Sequence, residues 1–525
     1  MAQKVAILAA LLLVLSLPFI VRATSASRAR GPSVPEGTPT LVVITPHVEQ
    51  IRDEFERAFD RWHLRTRNSR AAIDWRIPGG TSDIIKQLES TLEAAARNGL
   101  IDEHGAAKPG AAGCDVFLGG GSYEHGGLKK PRTTIGPSGK PVSYRLSQPV
   151  GFTQKQLDDW FGPNKIGTQF LYDPEQYWIG TALSGFGIVY NKDVLSRLGV
   201  PEPKTFDDLG DSRLFNLVAL ADGRQSGSVT TTYDSILNKE GWDRGWRTLR
   251  EMSANARYFA SSSTKPPIDV SQGDAAAGLA IDFYGRSQAQ CLLKPGQDPS
   301  ESRVGYIDPA GAVFIDADPA TILNGAANPG LAKAFIEFCL SDEAQALWQM
   351  PATSHASGRN NPIGPGGLPL GPEQYDLRRM PVRRDMYDKY GQYFIDKANP
   401  FAIASDVKSR NWRNLIAPLM AAFAIDVAPD LRSAWQTLNH ARALAAESRM
   451  PPDHLAAMER EFYAMPPHTM RDGAILELNE ANFKAIEEDT GKWKDLDHGK
   501  RSLIAYTRFF RDQYRKVVQL GNSAN

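Results

Sequence analysis

Between residues 40 and 340, short apolar runs alternate with segments whose apolar residues recur at helical spacing. No other feature narrows the fold as much. Leu41-Val42-Val43-Ile44 has no polar interruption, the pattern of a strand buried on both faces. Val48, Ile51, Phe55, Phe59 and Trp62 then mark one face of a helix. Thr45 is placed to cap that helix, with Pro46 at its first position, where a missing N–H costs nothing. Residues 73–77 read as the next strand, and Gly79-Gly80-Thr81-Ser82 opens a helix carrying Ile84, Ile85, Leu88 and Leu92.

The same grammar recurs down the chain. Asp115-Val116-Phe117-Leu118 runs into Gly119-Gly120-Gly121, followed by a polar insertion at 126–149. Gly187-Ile188-Val189-Tyr190 precedes a helix closed by Gly199 and Pro201, and Thr205 with Asp208 three residues on starts the next. Leu217-Val218-Ala219-Leu220 leads to Ser226-Gly227-Ser228, and Leu279-Ala280-Ile281 leads to Asp282-Phe283-Tyr284. Ala312-Val313-Phe314-Ile315 comes before helices that begin after Pro329 and Ser341. Strands alternating with helices predict an α/β protein with largely parallel sheets. Residues 356–525 show no comparable strand run. Trp412, Leu415, Ile416, Leu419 and Met420, then Leu503, Tyr506, Phe509 and Phe510, predict a helical C-terminal region that braces the first lobe or meets a partner.

Residues 1–26 read as an export signal: Lys4, then an apolar stretch broken only by Ser16 and Pro18, then Arg22-Ala23-Thr24-Ser25-Ala26. An uncleaved anchor is the alternative, since the stretch approaches spanning length. Residues 27–39 are rich in Ser, Arg, Gly and Pro and read as a linker. Lys plus Arg and Asp plus Glu both total 60, which leaves no basic footprint for nucleic acid. Cys114, Cys291 and Cys339 lack metal-type spacing and are expected as buried small hydrophobes, with one disulfide open.

Parallel sheets bind ligands beyond the carboxyl ends of their strands, and that rule selects Thr45-Pro46-His47, Gly80 with Thr81, Gly120 with Gly121, Ser226-Gly227-Ser228, and Asp282 with Tyr284. Small residues let a solute approach the backbone, whose free N–H groups at helix starts bind anionic oxygen. Taken singly, each has a plainer reading: Thr45, Ser82 and Ser228 as helix caps, and His47 as a solvent-facing residue. Their shared position in successive strand–helix units favours a common cleft. No G-x-S-x-G, H-E-x-x-H or phosphate-loop signature is present. Cys114 precedes its strand, at the end away from the glycine loop, which argues against a nucleophile there.

Several stretches together resemble the extracellular solute-binding proteins of bacterial ABC importers, with the type 2 periplasmic-binding fold and closest to the ferric-iron, sugar-phosphate and phosphonate binders. They are Val42-Val43-Ile44-Thr45-Pro46-His47, Gly79-Gly80-Thr81-Ser82-Asp83-Ile84, Cys114-Asp115-Val116-Phe117, and Gly187-Ile188-Val189-Tyr190-Asn191-Lys192-Asp193-Val194-Leu195. Ser226-Gly227-Ser228, Val270-Ser271-Gln272-Gly273-Asp274-Ala275-Ala276 and the run that starts at Asn328-Pro329-Gly330 complete the match.

The resemblance implies a first lobe at 40–186 and 308–355 and a second lobe at 187–307, joined by crossing segments near Gly185 to Gly187 and Asp308 to Gly311. It also implies solute capture between them by hinge closure, delivery to a membrane permease, action outside the cytoplasm as a monomer, no cofactor and no catalysis. Ferric members of the group use paired tyrosines with His and Glu. Here the pair reads Phe283-Tyr284 and Gly120 stands where the Glu would be, leaving His47, Asp282 and Tyr284 as the ferric alternative. The expectation is an anionic solute bearing phosphate or carboxylate, held by Ser226, Gly227 and Ser228 with Thr81 and Gly120, while Asp282 meets a solute hydroxyl or amine and Tyr284 packs against it. A membrane-tethered ligand sensor is the other class of reading.

Overall fold

The computed structural model describes residues 37–293, 301–309 and 311–523. The export signal and residues 27–36 of the linker lie outside the described residues.

Strands β1 (Thr40–Ile44), β2 (Ala72–Arg76) and β3 (Val116–Leu118) pair in parallel. The polar 126–149 insertion contains a hairpin, β4 (Arg132–Ile135) with β5 (Pro141–Tyr144), and a short strand β6 (Ser147–Gln148). Strand β7 (Ile179–Asn191) is 13 residues long and buried throughout. Beyond it come β8 (Val218–Ala221), β9 (Ala256–Ala260), β10 (Ala277–Ile281), β11 (Val304–Ile307) and β12 (Ile315–Leu323). The strand order is β2-β1-β3-β12-β7-β10-β8-β9.

The sheet therefore has two halves that share β7. Ile179 to Gly185 pair with β12, whereas Phe186 to Asn191 pair with β10 and β11. The expectation of largely parallel pairing holds for β2-β1-β3 and for β10-β8-β9, but β7 is antiparallel to β10, β11 and β12. β12 is antiparallel to β3 as well, so both strands at the junction run against their neighbours.

Helix Glu49–Arg67 begins later than its Thr-Pro signal suggests. Val48 is its N-cap and is exposed, while Phe55, Phe59 and Trp62 pack on Phe335, Phe338 and Trp348. Thr205 and Asp208 do start the short 3-10 turn Phe206–Gly210, the Thr205 N–H donating to Asp208 Oδ2 at 2.8 Å. Cys114 and Cys339 are buried as expected, Cys291 is exposed, and all three are free thiols.

The chain after residue 350 divides in two. Residues 351–412 first follow the β1–β3 half. Buried Glu54 accepts the N–H groups of Glu373, Gln374 and Tyr375 at 2.7, 2.8 and 3.1 Å, and strand β13 (Met380–Pro381) pairs with β7. The segment then crosses over, with Ser405 N–H donating to Val313 O and Arg410 N–H to Asn238 Oδ1. Helices Arg413–Met420, Ala428–Ala446, Pro452–Tyr463 and His498–Ser523 follow. They share one apolar core with the β8–β10 half: Trp242 meets Trp412 and Phe483, and Trp246 meets Phe423. The predicted helical region is thus mainly fused to the second half rather than bracing the first, and it includes a hairpin, β14 (Pro467–Thr469) with β15 (Ile475–Glu477), that its helical periodicity did not announce.

Candidate functional site

A cleft of about 780 Å³ opens where the two halves of the sheet face each other. Nine of the eleven residues selected from the sequence line it: His47, Gly80, Thr81, Gly120, Gly121, Ser226, Gly227, Ser228 and Tyr284. Thr45 and Asp282 do not. Thr45 is fully buried and its Oγ1 accepts the His47 N–H at 3.1 Å, so it shapes the turn that presents His47. Asp282 is fully buried behind the cleft and turned toward Arg286, whose Nη1 donates to Oδ2 at 3.3 Å. Burial raises the Asp282 pKa to about 7. It is not positioned to meet a solute, which corrects the role expected of it.

One wall comes from the β1–β3 half. Helix Thr81–Arg97 points its first turn into the cleft, with Gly80 as N-cap, and its leading N–H groups lack intrahelical acceptors. Gly120 sits at φ +109°, where a side chain would be strained and would press on Thr81 Cγ2 at 3.0 Å. Fully buried His125 holds this glycine loop: Nε2–H donates to Gly119 O at 3.0 Å and Nδ1 accepts from Thr321 Oγ1 at 2.6 Å. Burial lowers the His125 pKa to about 4, which keeps the ring neutral and leaves Nδ1 as the acceptor.

The facing wall is rich in hydroxyls. Helix Gly227–Glu240 starts at the cleft with Ser226 as N-cap. Ser226 Oγ lies 3.1 Å from Ser228 Oγ, and Ser228 Oγ donates to Ser263 Oγ at 3.0 Å. Ser261, Ser262 and Thr264 extend this surface at the end of β9. The walls come together at Glu124, whose Oε1 accepts from Arg413 Nη2 at 3.3 Å, while Arg413 also donates to Gly227 O at 3.2 Å. Arg413 opens the first helix of the C-terminal bundle.

The floor holds the residues that local sequence patterns did not reveal. Arg379, only 1% exposed, reaches up from the segment beside β13. Its Nη1 donates to His47 Nε2 at 2.7 Å and its Nη2 to Ser184 Oγ at 2.6 Å and to Asp318 Oδ2. Its guanidinium lies 4.2 Å from the Phe283 ring centroid. A guanidinium only donates, so His47 Nε2 is an acceptor and its ring proton sits on Nδ1. Burial first, then the charge of Arg379, holds the His47 pKa well below the usual imidazole range. His47 is thus buried and neutral rather than solvent-facing.

Asp316 and Asp318 complete the floor, each with Oδ2 bonded and Oδ1 lacking a partner among the described residues. Burial raises Asp316 to about 6 even though the Ser122 N–H donates to it at 3.0 Å. The ferric set is not assembled here: the His47 lone pair is committed to Arg379 and Asp282 faces away.

Residues 151–363 match the family model of bacterial extracellular solute-binding proteins. The matched segment is less than half of the chain. It contains the shared strand β7, the Ser226 wall and the floor carboxylates Asp316 and Asp318. The chain is similar to the "Phosphoglycerate transport regulatory protein PgtC" of Salmonella typhimurium, 27% identical over 169 residues, 32% of this chain and 40% of the relative. An uncharacterized protein of Haemophilus influenzae is 30% identical over 164 residues, 31% of this chain and 44% of the relative. The chain therefore spans less than half the length of the curated relatives it matches. Among solved structures, the periplasmic binding protein AfuA of Actinobacillus pleuropneumoniae, with fructose-6-phosphate bound, is 15% identical with a TM-score of 0.46, over 74% of this chain and 99% of that one.

Proposed function

We propose that the protein acts outside the cytoplasm as the binding component of an ATP-driven importer, capturing a small phosphate- or carboxylate-bearing solute in the cleft and handing it to a membrane permease. One observation carries the choice of an anion: helix starts and hydroxyls face the cleft from both walls while the buried Arg379 guanidinium occupies the lone pair that a metal would need. In this reading the anionic group sits between the 80–82 and 226–228 segments. Solute hydroxyls donate to Asp318, which takes over the role first given to Asp282, while Asp316 stands beside the anion. Tyr284 packs against the solute. The walls already meet where Glu124 accepts from Arg413, and a bound solute adds contacts to both, so occupancy favours the closed state further. No catalytic step is assigned to the cleft, and the protein works as a monomer.

Calorimetric titration tests this with inorganic phosphate, hexose phosphates and small di- and tricarboxylates. At least one is expected to bind, with Ser228→Ala weakening it by roughly 1.5–3 kcal/mol, the range for a hydrogen bond to a charged group. Equal affinity in the Ser226→Ala/Ser228→Ala protein would contradict the placement.

A second reading, a ligand sensor that reports occupancy to a membrane partner, draws on the word "regulatory" in the name of the Salmonella relative. Retention of residues 1–26 in the mature chain would favour it.

A further inference from the structure

His468, Asp489 and His498 lie outside the cleft, on the hairpin and helices that end the chain. We propose that they bind a divalent first-row transition ion, for which zinc is the natural probe. Their elements are separate: His468 is in β14, Asp489 is the last residue of helix Phe483–Asp489, and His498 is the first of helix His498–Ser523. One donor atom from each lies within 4.8 Å of the other two. His468 Nε2 and His498 Nε2 are 3.0 and 2.5 Å from the same Asp489 Oδ2, and the two rings meet it at 78° to each other. Ligand bonds to zinc are about 2.0–2.2 Å, so tetrahedral donors stand roughly 3.3 Å apart, and small side-chain shifts suffice.

The surroundings also suit an ion. His468 Nδ1 is 2.8 Å from Tyr506 Oη, so an Nδ1–H donated to that oxygen would leave the Nε2 lone pair directed at Asp489. The Arg471 N–H donates to Asp489 Oδ1 at 3.3 Å, orienting the carboxylate. The Arg471 guanidinium is paired with Asp495 at 2.8 Å and approaches the Asp489 carboxylate only at 3.9 Å. His468 is fully buried and Asp489 nearly so, whereas His498 is 20% exposed, which leaves a side open for a fourth ligand from solvent. Two imidazoles and one carboxylate with an open position is a donor set for zinc and its neighbours, not for magnesium or calcium. A bound ion would clamp the β14–β15 hairpin to both helices.

The test uses the full chain stripped with a chelator, desalted and titrated with zinc chloride, with elemental analysis after a second desalting. The expected result is one retained zinc per chain and a higher melting temperature, both lost in His498→Gln and in Asp489→Asn. Tyr506→Phe keeps the donors and is expected to weaken zinc binding by about tenfold or more. Because a ligand variant could fold poorly, each is melted in chelator beside the stripped wild type, and coincident curves show that the fold is intact. A wild type that retains no stoichiometric zinc would overturn the proposal. So would zinc retained undiminished in the Asp489→Asn/His498→Gln double variant.

Discussion

Arg379 Nη1 donates to His47 Nε2 at 2.7 Å, joining residues 332 positions apart at the floor of one cleft. The same guanidinium neutralises Asp318, so three buried polar groups depend on one side chain. Arg379→Met would leave the Asp318 carboxylate buried with only His47 Nε2, 3.3 Å away, as a partner, with an expected loss of roughly 3 kcal/mol in denaturant unfolding. Adding Asp318→Leu should restore much of that stability but not solute binding. A full return of affinity in the double variant would show that the pair only supports the fold.

Asp316 sets the expected pH response of binding. Its pKa in the solute-free protein is raised to about 6, chiefly by burial. An anion bound nearby favours the protonated form further. Affinity should therefore rise as pH falls from 7.5 to 5.5 and protons are taken up on binding, by up to about tenfold per unit of additional shift. Because some solutes titrate in this range themselves, the informative quantity is the affinity ratio of wild type to Asp316→Asn. That ratio should increase on acidification, and a flat ratio would remove Asp316 from the solute's surroundings.

Glu124 and Arg413 join the two walls across the mouth of the cleft. Both are mostly buried, yet they reach solvent when the walls part, so the pair contributes modestly to the closed state. Arg413→Gln is expected to speed solute release about two- to fivefold in stopped-flow fluorescence, corresponding to roughly 0.5–1 kcal/mol. Unchanged release would mean that closure does not use this contact.

Trp242 and Trp246 are buried partly by residues after position 411, Trp242 meeting Trp412 and Phe483 and Trp246 meeting Phe423. A chain ending at residue 411 would expose this core and should aggregate, as size-exclusion chromatography would show. Phe423→Ala in the full chain should cost roughly 3–5 kcal/mol. A soluble, solute-binding truncation would establish that the bundle is an independent domain.

The strands and the glycine and serine loops were legible because they rest on local chemistry. A continuous apolar run such as Leu41 to Ile44 has few other uses, and the 80–82 and 226–228 segments stand where parallel strands meet helices. Thr45 and Asp282 occupy the same kind of position, but at a strand end adjacent side chains point to opposite sides, and both face inward. Arg379 had no local signal: it falls in the region whose periodicity predicts helices, and only pairing of its neighbour Met380 with Leu183 on β7 brings it under the cleft. The antiparallel entry of β7 and the merging of the C-terminal helices with the second half likewise depend on long-range packing. The His468, Asp489 and His498 cluster is spread over 31 positions with no motif spacing.

The most direct measurement is native mass spectrometry with elemental analysis of iron on protein purified without added ligand. The account predicts a small organic or inorganic anion released from the wild type and absent from the Ser226→Ala/Ser228→Ala protein, with no bound iron. Near-stoichiometric ferric iron that disappears on substitution of His47 and Tyr284 would contradict it.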